Sequence, residues 1–284
     1  MSTCALCNSD RPLKESHIIP SFVFDRIKRN SPTRFLRGGI TNPNMRRQDG
    51  DRPKLLCGDC EQRFSKAERK FAEEIFEPYH ETGQTSFVYE DWLSYFICSV
   101  NWRTLHLDNI DFHSEKKWGS EVLDILDTAE RTLADFLLGK RDDIASLENH
   151  ILPMFEISQA YSQLDKPNFL FRISAFDYTF FVPSLNAYYV CANLAGVLIF
   201  TVISRGENDV WENTIVNLSG GSINQPPVHI TSPLMPNMVE LLSRSIETEM
   251  SQKQKDKIIQ TLKNNPDAGN AKAMQYRKMD NDLR

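Results

Sequence analysis

The chain has 284 residues, enough for two ordinary domains or for one large core with a small appendage. Its 40% hydrophobic and 25% charged residues exclude disordered and fibrous classes, and no apolar run reaches the length of about 18 residues that a membrane helix needs. The net charge of −5 hides an asymmetry, because residues 1–70 carry 15 Lys and Arg against 8 Asp and Glu, while residues 71–284 carry 18 against 30.

Met1-Ser2-Thr3-Cys4 opens without a basic-then-apolar signal pattern, so a cytoplasmic location and reduced thiols are expected. Four of the six cysteines form two Cys-x-x-Cys pairs, Cys4 with Cys7 and Cys57 with Cys60. Thiolates spaced by two residues can occupy adjacent corners of a zinc tetrahedron, and four of them close the shell, so a structural Zn²⁺ is predicted. The 49 residues between the pairs exceed the spacing of a compact finger, which predicts an inserted hairpin or long loop. Cys98 and Cys191 lie in apolar stretches and are expected to be small buried side chains.

The insertion is strongly basic. Arg26, Lys28, Arg29, Arg34, Arg37, Arg46, Arg47, Arg52 and Lys54 face only Asp49 and Asp51 between residues 26 and 54. Such a patch attracts polyanions, and nucleic acid is the expected partner, with Arg26, Lys28, Arg29, Arg34, Arg37, Arg46 and Arg47 as candidate phosphate contacts. A solvated loop without a partner is the alternative.

A helix is predicted from near Cys57, with Phe64, Ala67, Phe71 and Ile75 on one face and Pro78 ending or bending it. From about 88 to 165 the pattern reads as mostly helical. Trp92, Tyr95, Phe96 and Val100 form one stripe; Val122, Ile125, Leu126, Ala129, Leu133, Phe136 and Leu137 form a longer one that Gly139 ends. Strands are predicted at Asn168–Ile173, Tyr178–Val182, Tyr188–Val190 and Gly196–Ile203. A turn-rich interval through Ser219–Ser222 and Gln225–Pro227 leads to helices near Asn237–Ser245 and Ser251–Lys263, and the polar tail from Asn264 is expected to fray. Three textures result, at 1–78, 79–167 and 168–284. His80 is expected at the surface, and no role is assigned to His106, His113, His150 or His229.

Glu15-Ser16-His17-Ile18-Ile19-Pro20 follows the first cysteine pair, and Leu55-Leu56-Cys57-Gly58-Asp59-Cys60-Glu61 holds the second. Over about 75 residues these motifs resemble the HNH nuclease family, in the branch where a Cys4 zinc staples a hairpin-plus-helix finger. The resemblance implies an α+β protein with an amino-terminal treble-clef zinc finger of ββα-metal type, followed by a helical middle and a sheet-containing carboxyl-terminal region. It implies a metal-dependent endonuclease cutting DNA, less readily RNA, in phage defence or a mobile element. His17 falls on the family's general base, and imidazole suits that role because it exchanges protons near neutral pH. A Mg²⁺ or other divalent ion would stabilise the leaving oxygen.

The sequence departs from the family at the ion's ligands. Ser16 stands where Asp or His is usual, Glu61 replaces a His, and Arg52 replaces the central Asn. Glu61 is a candidate oxygen ligand for the ion, Glu15 adjoins the site, and Ser65 stands where a second helix ligand often lies. Glu68, seven residues after Glu61, is read as a supporting partner or as a salt bridge to an arginine of the basic loop. Two other readings stay open: a zinc-finger protein that grips nucleic acid without cutting it, and a zinc knob for protein contacts. The carboxyl-terminal region would then serve a protein partner or a second copy of the chain.

Overall fold

A computed structural model of the protein describes residues 3–38, 42–154, 167–224, 229–247 and 249–282. Predicted features at 155–165 and at Gln225–Pro227 lie outside the described residues.

The amino-terminal part runs β1 (Leu13–Glu15), α1 (Ser21–Asn30), β2 (Leu36–Gly38), β3 (Asn42–Arg47), β4 (Lys54–Cys57) and α2 (Gly58–Phe71). β1 pairs antiparallel with β4, setting Leu13 opposite Cys57, and between these two strands the predicted insertion contains α1 and the β2–β3 hairpin. α2 buries Cys60, Phe64, Ala67 and Phe71, the recurrence of one helical face. Pro78 does not end the helical course. The turn at Ala72–Phe76 widens to π geometry and α3 (Glu77–Thr82) continues with Pro78 in its first turn. A proline lacks an N–H and crowds the carbonyl four residues back, and a wider turn just before it relieves both problems.

β5 (Phe87–Tyr89) leads into α4 (Asp91–Glu115), which is the axis of the molecule. The expected stripe understates its burial, because Ser94, Ser99, Asn101, Arg103 and Thr104 are also covered, each with a hydrogen-bond partner. α5 (Ser120–Leu137) packs its stripe against α4, and Gly139 follows it at a positive φ of 70°.

The region expected to be helical to residue 165 contains a strand, β6 (Glu148–Pro153). It joins β7 (Ala175–Val182), β8 (Ala187–Leu194) and β9 (Val197–Ser204) in an antiparallel sheet of order β6-β9-β8-β7. β8 is buried along its whole length and β9 along all but its last residue, because both faces of the sheet are covered. Tyr188, Val190, Ala192 and Leu194 join the apolar clusters that contain α4 residues. Tyr189 and Cys191 point the other way, toward Phe171, Trp211 and Met238.

Between β6 and β7, the segment expected to be a strand at Asn168–Ile173 is instead a helix, α6 (Pro167–Arg172). Asp280 caps it, accepting hydrogen bonds from the backbone N–H groups of Asn168 and Phe169 at 2.9 Å each. The β8–β9 turn needs Gly196 (φ 99°), where a side chain would strike the Tyr79 hydroxyl and Arg172. That hydroxyl instead donates to the Met154 and Gly196 carbonyls and ties α3 to the sheet.

β10 (Val210–Glu212) pairs with β12 (His229–Thr231), and β11 (Gly221–Ile223) pairs with β5. α7 (Leu234–Glu247) and α8 (Gln252–Lys263) agree with the expected helices. The expected fraying tail contains α9 (Lys272–Asp282), anchored by buried Ala273, Tyr276 and Asp280. One apolar cluster holds Val23, Phe71, Phe96 and Ile199 together, so packing runs across the texture boundaries at 78 and 167. Among the described residues, no helix is long and apolar enough to cross a membrane.

Candidate metal centre and the residues around it

Cys57 closes β4 and Cys60 lies in the first turn of α2, so one strand-to-helix junction presents two sulfurs on one side. Cys4 and Cys7 come from a tight knuckle ahead of β1. In it Asn8 takes a positive φ of 55° and returns its N–H to the Cys4 carbonyl. The knuckle is held to β4 by hydrogen bonds from Ala5 N–H to the Leu55 carbonyl and from Cys57 N–H to Cys4 Sγ, at 3.1 and 3.3 Å.

All four Sγ atoms lie within 4.8 Å of one another, and Cys7 Sγ is 3.8 Å from Cys57 Sγ. A tetrahedron with zinc–sulfur bonds of about 2.3 Å has edges of about 3.8 Å, so this donor set fits a zinc ion by geometry as well as by chemistry. None of the four is in a disulfide, and Cys4, Cys57 and Cys60 are buried. Burial pushes the Cys60 thiol well up. Its thiolate therefore needs a cation beside it, and a coordinated divalent metal supplies one. The cysteine quartet can hold a metal ion and is compatible with structural zinc.

Strand alternation continues past β1. Ser16 N–H bonds the Pro53 carbonyl and Ile18 N–H the Asp51 carbonyl, at 2.9 and 3.2 Å, so Ser16 and Ile18 point inward and His17 points out. The buried Ser16 hydroxyl accepts from Leu56 N–H at 3.2 Å, so it staples β1 to β4 and is not available as an ion ligand beside His17. His17 Nε2 lies 2.9 Å from Asp49 Oδ2, with 24% and 26% of the two side chains exposed. Burial works to raise the Asp49 carboxyl. Hydrogen bonds from His17 and Gly50 N–H, with the nearby charge of Lys28, overcome it and hold the group below its ordinary value. A side chain at position 50 would run into the Phe24 ring and force it to move.

Behind His17 stands Arg103 of α4, only 1% exposed. Its Nη1 donates to the His17 carbonyl at 2.6 Å, its Nη2 to Glu68 at 2.8 Å and its Nε to the Ser99 carbonyl at 3.0 Å, while the guanidinium lies over the Phe64 ring. Glu68 thus pairs with an arginine of the central helix and not of the basic loop. Neither Asp49 nor Arg103 was selected from the sequence. Asp49-Gly50 carried a turn signal, whereas Arg103, 86 residues from His17, carried only the oddity of a charge in an apolar helix.

The other expected site residues are more scattered. Glu15 is exposed and faces Arg52 at 3.6 Å. Glu61 has one carboxylate oxygen buried without a hydrogen-bond partner among the described residues. Among the described residues, the cysteine quartet is the only group of three or more His, Cys, Asp or Glu within ligating distance, so His17, Glu15 and Glu61 do not form a ready cation cage.

The basic residues divide in a similar way. Arg26 is buried between Glu77 and Glu81, which removes it from any phosphate-facing surface. Arg29 pairs with Glu77 at 2.9 Å, Lys28 with Asp25 at 2.8 Å, and Arg47 with Asp51 at 2.8 Å. Arg37 is half-buried, and burial together with Arg46 across the hairpin lowers its proton affinity. Arg34 and Arg46 are exposed, and Arg46 rests 4.0 Å over Phe35.

His80 is buried, not at the surface as expected. Burial and the charge of Arg26 lower it to about 2, so it stays neutral. His106 and His113 reach Glu130 and Asp127 at 2.7 and 3.1 Å, and His150 is buried against Thr214 at 2.9 Å. Cys98 and Cys191 are fully buried, as expected. No known family, no curated protein and no solved structure matches the chain.

Proposed function

We propose that the chain is an HNH-type endonuclease, in which a structural zinc holds a treble-clef finger and His17 is the general base for hydrolysis of a phosphodiester, most readily in DNA. The observation that carries this reading is the part-exposed His17–Asp49 pair in the loops that follow β1 and precede β4, two paired strands whose other end carries the cysteine quartet. A carboxylate at Nε2 favours the tautomer with the proton on that nitrogen, which leaves Nδ1 as the lone pair that takes a proton from water. The hydroxide so formed attacks phosphorus, the bond to the leaving oxygen breaks, and that oxygen takes a proton from solvent.

Arg103 fixes the His17 backbone, and the exposed Arg34 and Arg46 offer phosphate contacts. Magnesium sites often use only one or two carboxylates and complete their shell with substrate phosphate. The unpartnered oxygen of Glu61 is the candidate for such a ligand, and an ion there would offset charge on the leaving oxygen.

The test is plasmid cleavage by the full chain in Mg²⁺, in Mn²⁺ and in EDTA, beside His17→Ala and Asp49→Asn. The expected outcome is metal-dependent cutting that falls by about 10²- to 10⁴-fold in both variants. Undiminished cutting by His17→Ala removes this mechanism. The lack of a second preassembled ligand group among the described residues favours a second reading, a finger that binds nucleic acid without cutting it. That reading predicts retention of DNA that weakens steeply with salt and no cleavage in any metal.

A further inference from the structure

The buried face of α2 has two flanks of opposite charge. At about 100° per residue, Glu61 and Glu68 fall on one side of the line through Cys60, Phe64, Ala67 and Phe71, and Arg63, Lys66 and Lys70 fall on the other. The acidic flank meets Arg103 through Glu68. The basic flank is exposed and borders a groove of about 530 Å³, whose other residues come mainly from the start of α4, the end of α5 and the loop after it, with Leu218 from the segment before β11.

Trp92, Tyr95 and Phe136 give this groove an aromatic wall, with the half-buried rings of Tyr95 and Phe136 6.2 Å apart. Tyr95 is fixed by a hydrogen bond of 3.0 Å to the Leu137 carbonyl. Much of the remaining charge is committed: Lys70 reaches Glu90 at 3.3 Å and Arg141 pairs with Asp143. Asp91 and Asp142 also line the groove. Arg63 and Lys66 make no hydrogen bond or ion pair among the described residues, so they are its uncommitted cations.

We propose that this groove binds a nucleotide, with the phosphate on Arg63 and Lys66 and the base against Tyr95 and Phe136. A pair of cations alone would accept any anion, and an aromatic wall alone any apolar group. A ligand carrying both an anion and a flat ring satisfies the two together. The volume lies within the range of roughly 300–1,000 Å³ found for small-molecule sites. The nucleotide can be free or can belong to a single strand. Only the strand case rests on the nuclease reading, and there the groove holds substrate on the flank of α2 opposite Glu68 and Arg103.

The experiment is isothermal titration of the full, zinc-loaded chain with dAMP, with inorganic phosphate and with a short oligothymidylate, repeated on Arg63→Gln/Lys66→Gln. Both positions are exposed on α2, so the variant keeps the core intact, and its melting curve checks this. At least one of the two nucleotide ligands should bind ten times more tightly than phosphate and weaken at least tenfold in the double variant. For the oligothymidylate, the slope of log affinity against log salt should fall by about 1.4, the single-strand value for two lost phosphate contacts. Binding of dAMP assigns a free nucleotide; binding of the oligothymidylate alone assigns a strand. Nucleotide binding that depends on Arg63 and Lys66 in a chain that cuts no plasmid would keep the groove and remove only the nuclease reading, which separates the two. Phosphate binding as tightly as both nucleotide ligands, or affinities that ignore the double variant, would overturn the proposal.

Discussion

Two neighbours on α4 serve different partners. Arg103 holds the His17 backbone, and Thr104 donates a hydrogen bond of 3.0 Å to Asp177 on β7. Burial pushes the Asp177 carboxyl up to about 6; Thr104 and Arg103 oppose the shift, and the charges of Asp108 and Asp51 reinforce it. Because the folded value lies above the unfolded one, the folded chain keeps a proton that the unfolded chain releases. The stabilisation is complete below about pH 4 and is lost as pH rises through about 6. Asp177→Asn keeps an acceptor for Thr104 and removes the titration. It should be more stable than the wild type above pH 7 by ~2–3 kcal/mol and equal to it near pH 4, read from urea unfolding across pH. A less stable variant at pH 8 would mean that the anion is the favoured form. None of this was legible in the sequence, where Asp177 is one acid just ahead of a strand pattern and its neighbours lie 69 to 126 positions upstream.

α6 shows why some secondary structure could not be read locally. Phe169-Leu170-Phe171 is a short apolar run that suits a buried strand or a buried helix equally well, and periodicity cannot choose between them. The choice is made 112 residues away, where Asp280 on α9 supplies acceptors for the first N–H groups of the helix. Asp280→Ala leaves two N–H groups without those acceptors and should cost about 1–3 kcal/mol in urea unfolding. A loss within error would show that water replaces the carboxylate. β6 escaped notice for the same reason, since Glu148-Asn149-His150 has little strand character and pairs only because β9 provides an edge. The helices with long amphipathic stripes, α2 and α5, were legible because each stripe states its own requirement for burial.

Across the whole molecule, the cysteine quartet shares an apolar cluster with Phe64, Trp102, Leu105 and Leu126, so the amino-terminal part is continuous with the helical core. The quartet was legible because ligand spacing is written into four residues, and the length of the insertion announced a hairpin or long loop; its α-helix, the Asp49 partner and the Arg103 support were not. Elemental analysis should return one zinc per chain. Removing it with a chelator, or replacing Cys60 with Ser, should lower the melting temperature of the whole cooperative unit, because the metal's binding energy also supports folding. A folded, metal-free protein with unchanged melting would refute this. With the ion in place, residues 4 and 60 are joined by a second, non-peptide link, and everything between them becomes a closed ring. A protease that nicked the ring once would leave two peptides clasped at the sulfurs, travelling as one body until the metal was withdrawn.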